Sequence, residues 1–189
     1  MSQRVEKEFQ FFCAMHFKGN FHLNTYDMTL SMLLEAEANE EQHTALDRIS
    51  YFIFNCINNK LFINGEEKEA LEKYINAGLD PIVLNAEPYD QIVAMTLLQK
   101  MNAITEGRII ITDTLLNSMC GDGVRFHIVS EMCDEYFAKD HSKWWNCSST
   151  NTQDSKEIED EEKIVKLFQK CEWDKIDLGY PKSSSGKNN

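Results

Sequence analysis

No stretch of this 189-residue chain stays apolar for long. The densest run, residues 51–57 (YFIFNCI), is seven residues and already contains Asn55. A membrane-spanning helix needs roughly 18 consecutive apolar residues, so no membrane association is expected. Glycine is sparse, at eight residues, and the only close pair is Gly121-Asp122-Gly123. It lacks the lysine and the strand–loop–helix context of a phosphate-cradling loop, and reads as a turn before a strand. The six cysteines, at positions 13, 56, 120, 133, 147 and 171, include no pair at zinc-knuckle spacing, and the five histidines form no HExxH. Free, reduced thiols are expected, with Cys13 and Cys56 packing as small hydrophobes. The opening residues, MSQRVEKEFQ, have no apolar core of a signal peptide. A reducing cytoplasm is therefore the expected compartment. An excess of positive charge is also missing. Lys plus Arg number 19 against 31 Asp plus Glu, a net charge of −12. Diffuse electrostatic binding of a polyanion needs the opposite sign, so no direct nucleic-acid partner is expected.

Against these absences, 42% of residues are hydrophobic and 11% aromatic, enough to build a core. The chain divides by composition into a globular part, residues 1–147, an acidic loop, residues 148–163, a segment over 164–180 returning to the domain, and a polar tail, residues 181–189. The acidic loop holds six acids, two lysines and a single aliphatic residue, Ile158. It cannot offset its ordering entropy by burial and is expected to be solvated.

Within the globular part, aromatic-rich runs on either side of Lys18-Gly19-Asn20 predict a β-hairpin over residues 9–23. Residues 25–38 fit strand and helix alternately, with strand favoured in the first half. Ala45, Ile49, Phe52, Ile53, Cys56 and Ile57 fall on one helical stripe within 40–60. A second helix over 66–77 stops at Gly78, and residues 82–84 read as a buried strand. The most clearly specified element is a helix over residues 88–106. It is apolar around most of its circumference, as a central helix buried on several sides would be. Pro88 suits its first position, Asp90 its first turn, and Gly107 ends it. Residues 108–112 and 124–129 read as strands that could pair, joined by a loop over 113–123. The fold class expected is α+β: a mainly antiparallel sheet packed against two to three helices, with 88–106 central.

Two groups of residues are candidates for function. Gln99, Asn102 and Glu106 share one face of an otherwise apolar helix. With Arg108, Asp113 and Asp122 they define a candidate pocket. Converging acids there could hold Mg²⁺ for phosphoryl chemistry, although simple strand alternation places Asp113 with Ile109 and Ile111. A buried structural network around Arg108 is the plainer alternative. Trp144 and Trp145 are the second group, either a partner-binding anchor or a clamp on the core. Weaker possibilities are a metal pair of His16 and His22 across the hairpin turn and a nucleophilic pair of Cys120 and His127.

Residues 41–63, EQHTALDRISYFIFNCINNKLFI, and 87–123, EPYDQIVAMTLLQKMNAITEGRIIITDTLLNSMCGDG, resemble an uncharacterised protein family of large tailed bacteriophages. The resemblance spans roughly residues 8–146. It implies a viral accessory protein in the host cytoplasm and transfers no catalytic residue. Two functions follow as expectations. One is a non-enzymatic protein that binds a host or phage protein, or a second copy of itself, without a cofactor. The alternative is a small metal- or nucleotide-dependent enzyme built on Glu106, Arg108, Asp113 and Asp122.

Overall fold

The structure, a computed structural model, describes residues 2–35, 40–137, 142–154, 173 and 176. Of the expectations above, residues 155–163 of the acidic loop, most of the returning segment and the tail lie outside the described residues. The hairpin is much longer than its aromatic core predicts: β1 (Ser2–Phe17) pairs along its whole length with β2 (Asn20–Glu35). Its turn residues are Lys18 and Gly19, at φ 49° and 76°. Positive φ at both positions matches the twist of the flanking strands. Residues 25–35 therefore resolve as strand: their alternation buries Tyr26, Met28, Leu30 and Met32 on the face that also carries Phe9, Phe11, Cys13 and Met15.

Next comes α1 (Glu40–Tyr51), which passes into a π-helical turn over Phe52–Ile57. The chain continues through β3 (Lys60–Asn64), α2 (Lys68–Asn76) and β4 (Ile82–Leu84) to α3 (Asp90–Thr105). β5 (Ile110–Ser118), β6 (Arg125–Val129) and α4 (Ser130–Tyr136) follow, with a 3-10 turn at Trp144–Asn146. The sheet order is β4-β3-β1-β2-β5-β6. β1–β2, β2–β5 and β5–β6 are antiparallel, while β3 joins β1 and β4 in parallel. The fold is α+β, with a mixed sheet in which the longest pairings are antiparallel. No described helix is long and apolar enough to cross a membrane.

α3 is central, as its pattern predicts: it meets α1, α4, β4, β5 and β6, and ten of its residues are buried. It starts at Asp90, so Pro88 lies just before the helix, not at its first position. At the far end Glu106 takes the left-handed conformation, φ 53°, with Gly107 following at 77°. The stretch 113–118, expected as loop, continues β5 and pairs with both β2 and β6.

One buried charged residue breaks the apolar pattern of α3. Lys100 is 0% exposed. Its ammonium donates to the carbonyls of Trp144 at 2.7 Å and Cys147 at 2.8 Å, and lies 5.6 Å from the ring centroids of Phe52 and Trp144. Burial pushes its pKa down to about 7. The residue clamps the 144–147 turn onto the helix. Trp173 adds a second attachment: its indole N–H donates to the Ser148 carbonyl, and its ring meets Tyr51 edge to face and lies beneath the Arg48 guanidinium.

Candidate functional site

The six residues of the expected pocket do not come together. Gln99 donates its amide to Asn146 at 2.9 Å. Asn102 donates to Ser130 Oγ at 2.8 Å and accepts from the Ile111 amide, while Ser130 donates to the Ile111 carbonyl. That closed set ties α3 to β5 and α4. Glu106, at the end of α3, accepts from Arg48 at 2.9 Å and from Arg108. The two guanidinium groups hold its carboxyl below the usual range against the opposing effect of burial. Asp122 sits in the β5–β6 turn near the opposite end of α3, beyond a 16-residue helix about 24 Å long. Structural pairing explains all but Asp122, which is an exposed turn residue at φ 49°.

Asp113 corrects the simple alternation. The β2–β5 register shifts between Ser31 and Met32: Ser31 pairs with Asp113 and Met32 with Ile111, leaving Thr112 as the extra residue. A bulge reverses the facing of everything beyond it. Ile111 enters the core, but Asp113 projects from the opposite sheet face, against Arg4 at 3.3 Å, Thr112 Oγ1 at 2.8 Å and His127 Nε2 at 3.0 Å. These donors lower its pKa, burial acting the other way. Asp113→Asn is expected to cost about 1 kcal/mol at neutral pH. The folded-state pKa lies below the unfolded one, so this stabilisation is present above the ordinary carboxylate range and fades as pH falls through the lowered value. Urea titrations of wild type and variant at pH 6 and pH 3 check it: their difference should shrink at pH 3.

The tryptophans are also corrected as a partner anchor. Trp144 and Trp145 are 1% and 5% exposed. Trp144 donates its indole N–H to the Val83 carbonyl at 2.8 Å, and Trp145 packs on Phe137. Both act as the core clamp. His16 and His22 oppose Phe21 and Met15 in the hairpin register, so they project from opposite faces. His16 instead meets Glu67 and Tyr74. Cys120 donates its thiol to the Leu23 carbonyl, whereas His127 is engaged by Asp113. Among the described residues no group of His, Cys, Asp and Glu is arranged to hold a metal ion.

A concave site does exist, at the end of the molecule where the hairpin tip meets the start of α3. It is a half-open cleft of about 410 Å³. Met15, Phe17, Pro88, Tyr89, Val124 and Phe126 form apolar walls, and His22, Asp90 and Cys120 supply the polar groups. The rings of Phe17 and Tyr89 meet edge to face at 5.0 Å. Asp90 is fixed from beneath: Tyr26 donates its hydroxyl to Oδ1 at 2.9 Å and Ser118 to Oδ2 at 2.6 Å. Burial and the nearby Asp90 carboxylate push the Tyr26 hydroxyl pKa far up, and burial is the first cause raising the Cys13 thiol to about 12. Gly121 lies so near this carboxylate that a Cβ would come within 2.9 Å of both Asp90 Oδ2 and Ser118 Oγ. Sequence reading missed the cleft because it is assembled from four separated segments. The one visible signal was an acid at the start of an otherwise apolar helix.

A second concavity, about 480 Å³, is a polar trough on the sheet face opposite α3, lined by Glu8, Gln10, Asp27, Asn117 and Arg125 among others.

No protein-family model matches the chain, and no curated protein matches it. Among solved structures, an uncharacterised protein from Wolinella succinogenes is similar, with a TM-score of 0.50 and 12% identity over 68% of this chain and 98% of that chain. At that identity the likeness is one of fold.

Proposed function

We propose that this is a non-enzymatic interaction protein that docks a protein partner in the cleft at the hairpin tip. The observation that carries the reading is the cleft with its exposed apolar rim. Tyr89 and Val124 in its wall are 49% and 51% exposed. Large apolar side chains gathered at the mouth of a concavity are a recurrent mark of recognition surfaces. The resemblance to bacteriophage proteins supports a phage accessory role in a bacterial host cytoplasm, with a host or phage protein as partner. The alternative enzyme reading finds no support in the placement of its residues, since Asp113 and Asp122 lie apart from the Glu106–Arg108 pair and from each other.

Val124→Lys tests the reading. An exposed position tolerates the change within about 0.5 kcal/mol of stability, while an ammonium in the cleft wall opposes docking of an apolar segment. Tagged wild type and variant are used to capture proteins from bacterial lysate, and their self-association is measured by sedimentation. A partner, or a dimer, retained by wild type at least about tenfold better than by the variant is the expected result. Equal recovery by both, or recovery of nothing together with a monomer, would overturn it.

A further inference from the structure

The docking reading leaves the chemistry of the occupant open, and the cleft's polar groups narrow it. Asp90 is the one carboxylate among its described lining residues. Its two oxygens each accept a single described hydrogen bond, from Tyr26 and Ser118. An ionised carboxylate has about four acceptor positions, so capacity remains on the cleft side. Among the described residues no ion pair reaches Asp90. The anion is supported by its place in the first turn of α3 and by two neutral hydroxyls, not by a cation.

The surroundings favour positive charge. The chain carries a net charge of −12, which draws basic partners. The walls are aromatic faces and edges. The Lys18 ammonium lies 5.1 Å from the Phe17 centroid, so this ring already attracts a cation. The remaining wall is Met, Pro and Val, suited to the methylene stem of a long basic side chain or to an adjacent apolar residue.

We propose that the cleft takes an arginine or lysine side chain, flanked by an apolar residue, from a protein partner, with Asp90 pairing the cationic head. This inference rests on the docking reading above and assigns its specificity. Asp90 distinguishes a cationic occupant from a neutral one of the same shape, and the aromatic walls hold the flanking residue.

Cys120 provides the readout, because its exposed thiol lines the cleft. The full-length protein is alkylated with N-ethylmaleimide, and modification of Cys120 is followed by peptide mapping. Two short acetylated peptides compete, one with arginine between two phenylalanines, the other with citrulline, its neutral isostere, in that place. A charge-assisted hydrogen bond should let the arginine peptide protect Cys120 at a concentration at least about tenfold lower. Asp90→Asn should abolish that preference. Gly121→Ala, whose Cβ displaces the Asp90 carboxylate, should abolish it as well and guards against misfolding of the first variant. Tyr89→Ala should weaken both peptides alike.

Equal protection by the two peptides, protection by neither, or a preference that persists in both Asp90→Asn and Gly121→Ala would overturn the proposal. The two readings fail separately. If Val124→Lys abolishes partner capture while neither peptide protects Cys120, docking stands and the cationic occupant falls. If the arginine preference is found but capture is insensitive to Val124→Lys, the cationic site stands without the partner reading.

Discussion

Unfolding stability is expected to rise between pH 7 and pH 9, against the usual flat profile of this range, because of Lys100. Burial lowers its pKa from the ordinary 10.5 to about 7 in the folded protein. Between those values the unfolded chain binds a proton that the folded chain does not, so stability increases with pH. One such group contributes a slope of at most about 1.4 kcal/mol per pH unit, or about 2 kcal/mol over the interval. Above pH 9 the rise should level off. The Cys13 thiol, raised from 9.0 to about 12, keeps its proton in the folded protein while the unfolded chain loses it, which opposes the Lys100 slope. Stability should fall once the lysine of the unfolded chain also titrates, above 10.5. Urea titrations monitored by tryptophan fluorescence at half-unit pH steps would show the rise from pH 7 to 9 and a maximum between about pH 9 and 10.5.

Lys100→Met separates this from other titrations. It removes the titrating amine, so the rise between pH 7 and 9 should disappear. It also removes one donor from each of the Trp144 and Cys147 carbonyls, although the Trp144 carbonyl keeps the Cys147 amide. Each lost hydrogen bond costs about 0.5–1.5 kcal/mol. The variant should therefore be less stable than wild type at pH 9 and approach it at pH 6. A wild-type profile flat from pH 7 to 9, or the same slope in the variant, would show that the Lys100 amine does not titrate there.

Trp144→Ala is expected to be the most damaging single change, at about 3–5 kcal/mol. The side chain is among the largest fully buried ones, and its N–H bond to the Val83 carbonyl links the 3-10 turn to β4. Against a typical total of about 5–15 kcal/mol, the loss should lower the thermal midpoint by many degrees. Because Lys100 lies 5.6 Å from the indole ring, the two sites are coupled. A cycle of Lys100→Met, Trp144→Ala and the double variant should show a non-additive term of about 0.5–2 kcal/mol. A cost below about 1 kcal/mol for Trp144→Ala would instead place the indole outside the core.

Elements with a strong local period were the ones legible in advance. α3 is apolar on nearly every side, and a helix with that pattern must be central wherever the rest of the chain goes. The hairpin showed itself through aromatics around a turn, although its full length did not. Residues 25–35 satisfy both periods, and only pairing with β1 and β5 decides for strand. The 113–118 stretch was hidden similarly, since Thr114 and Ser118, buried on the core face, interrupt its apolar alternation. Glu106 and Arg108 were read as neighbours and do pair, because two positions on either side of a tight turn leave little choice.

The sequence by itself determined the α+β composition, the central helix and the net negative charge, because each depends on local spacing or on counting. Tertiary structure decided where the chemistry lies. A single extra residue at Thr112 turned Asp113 to the open face. Burial converted Trp144 and Trp145 from a candidate anchor into a clamp and gave Lys100 its partners. The cleft exists only where the hairpin tip, the segment before α3 and the β5–β6 turn converge. Such convergence depends on contacts between distant segments, and no local pattern encodes which distant groups will meet.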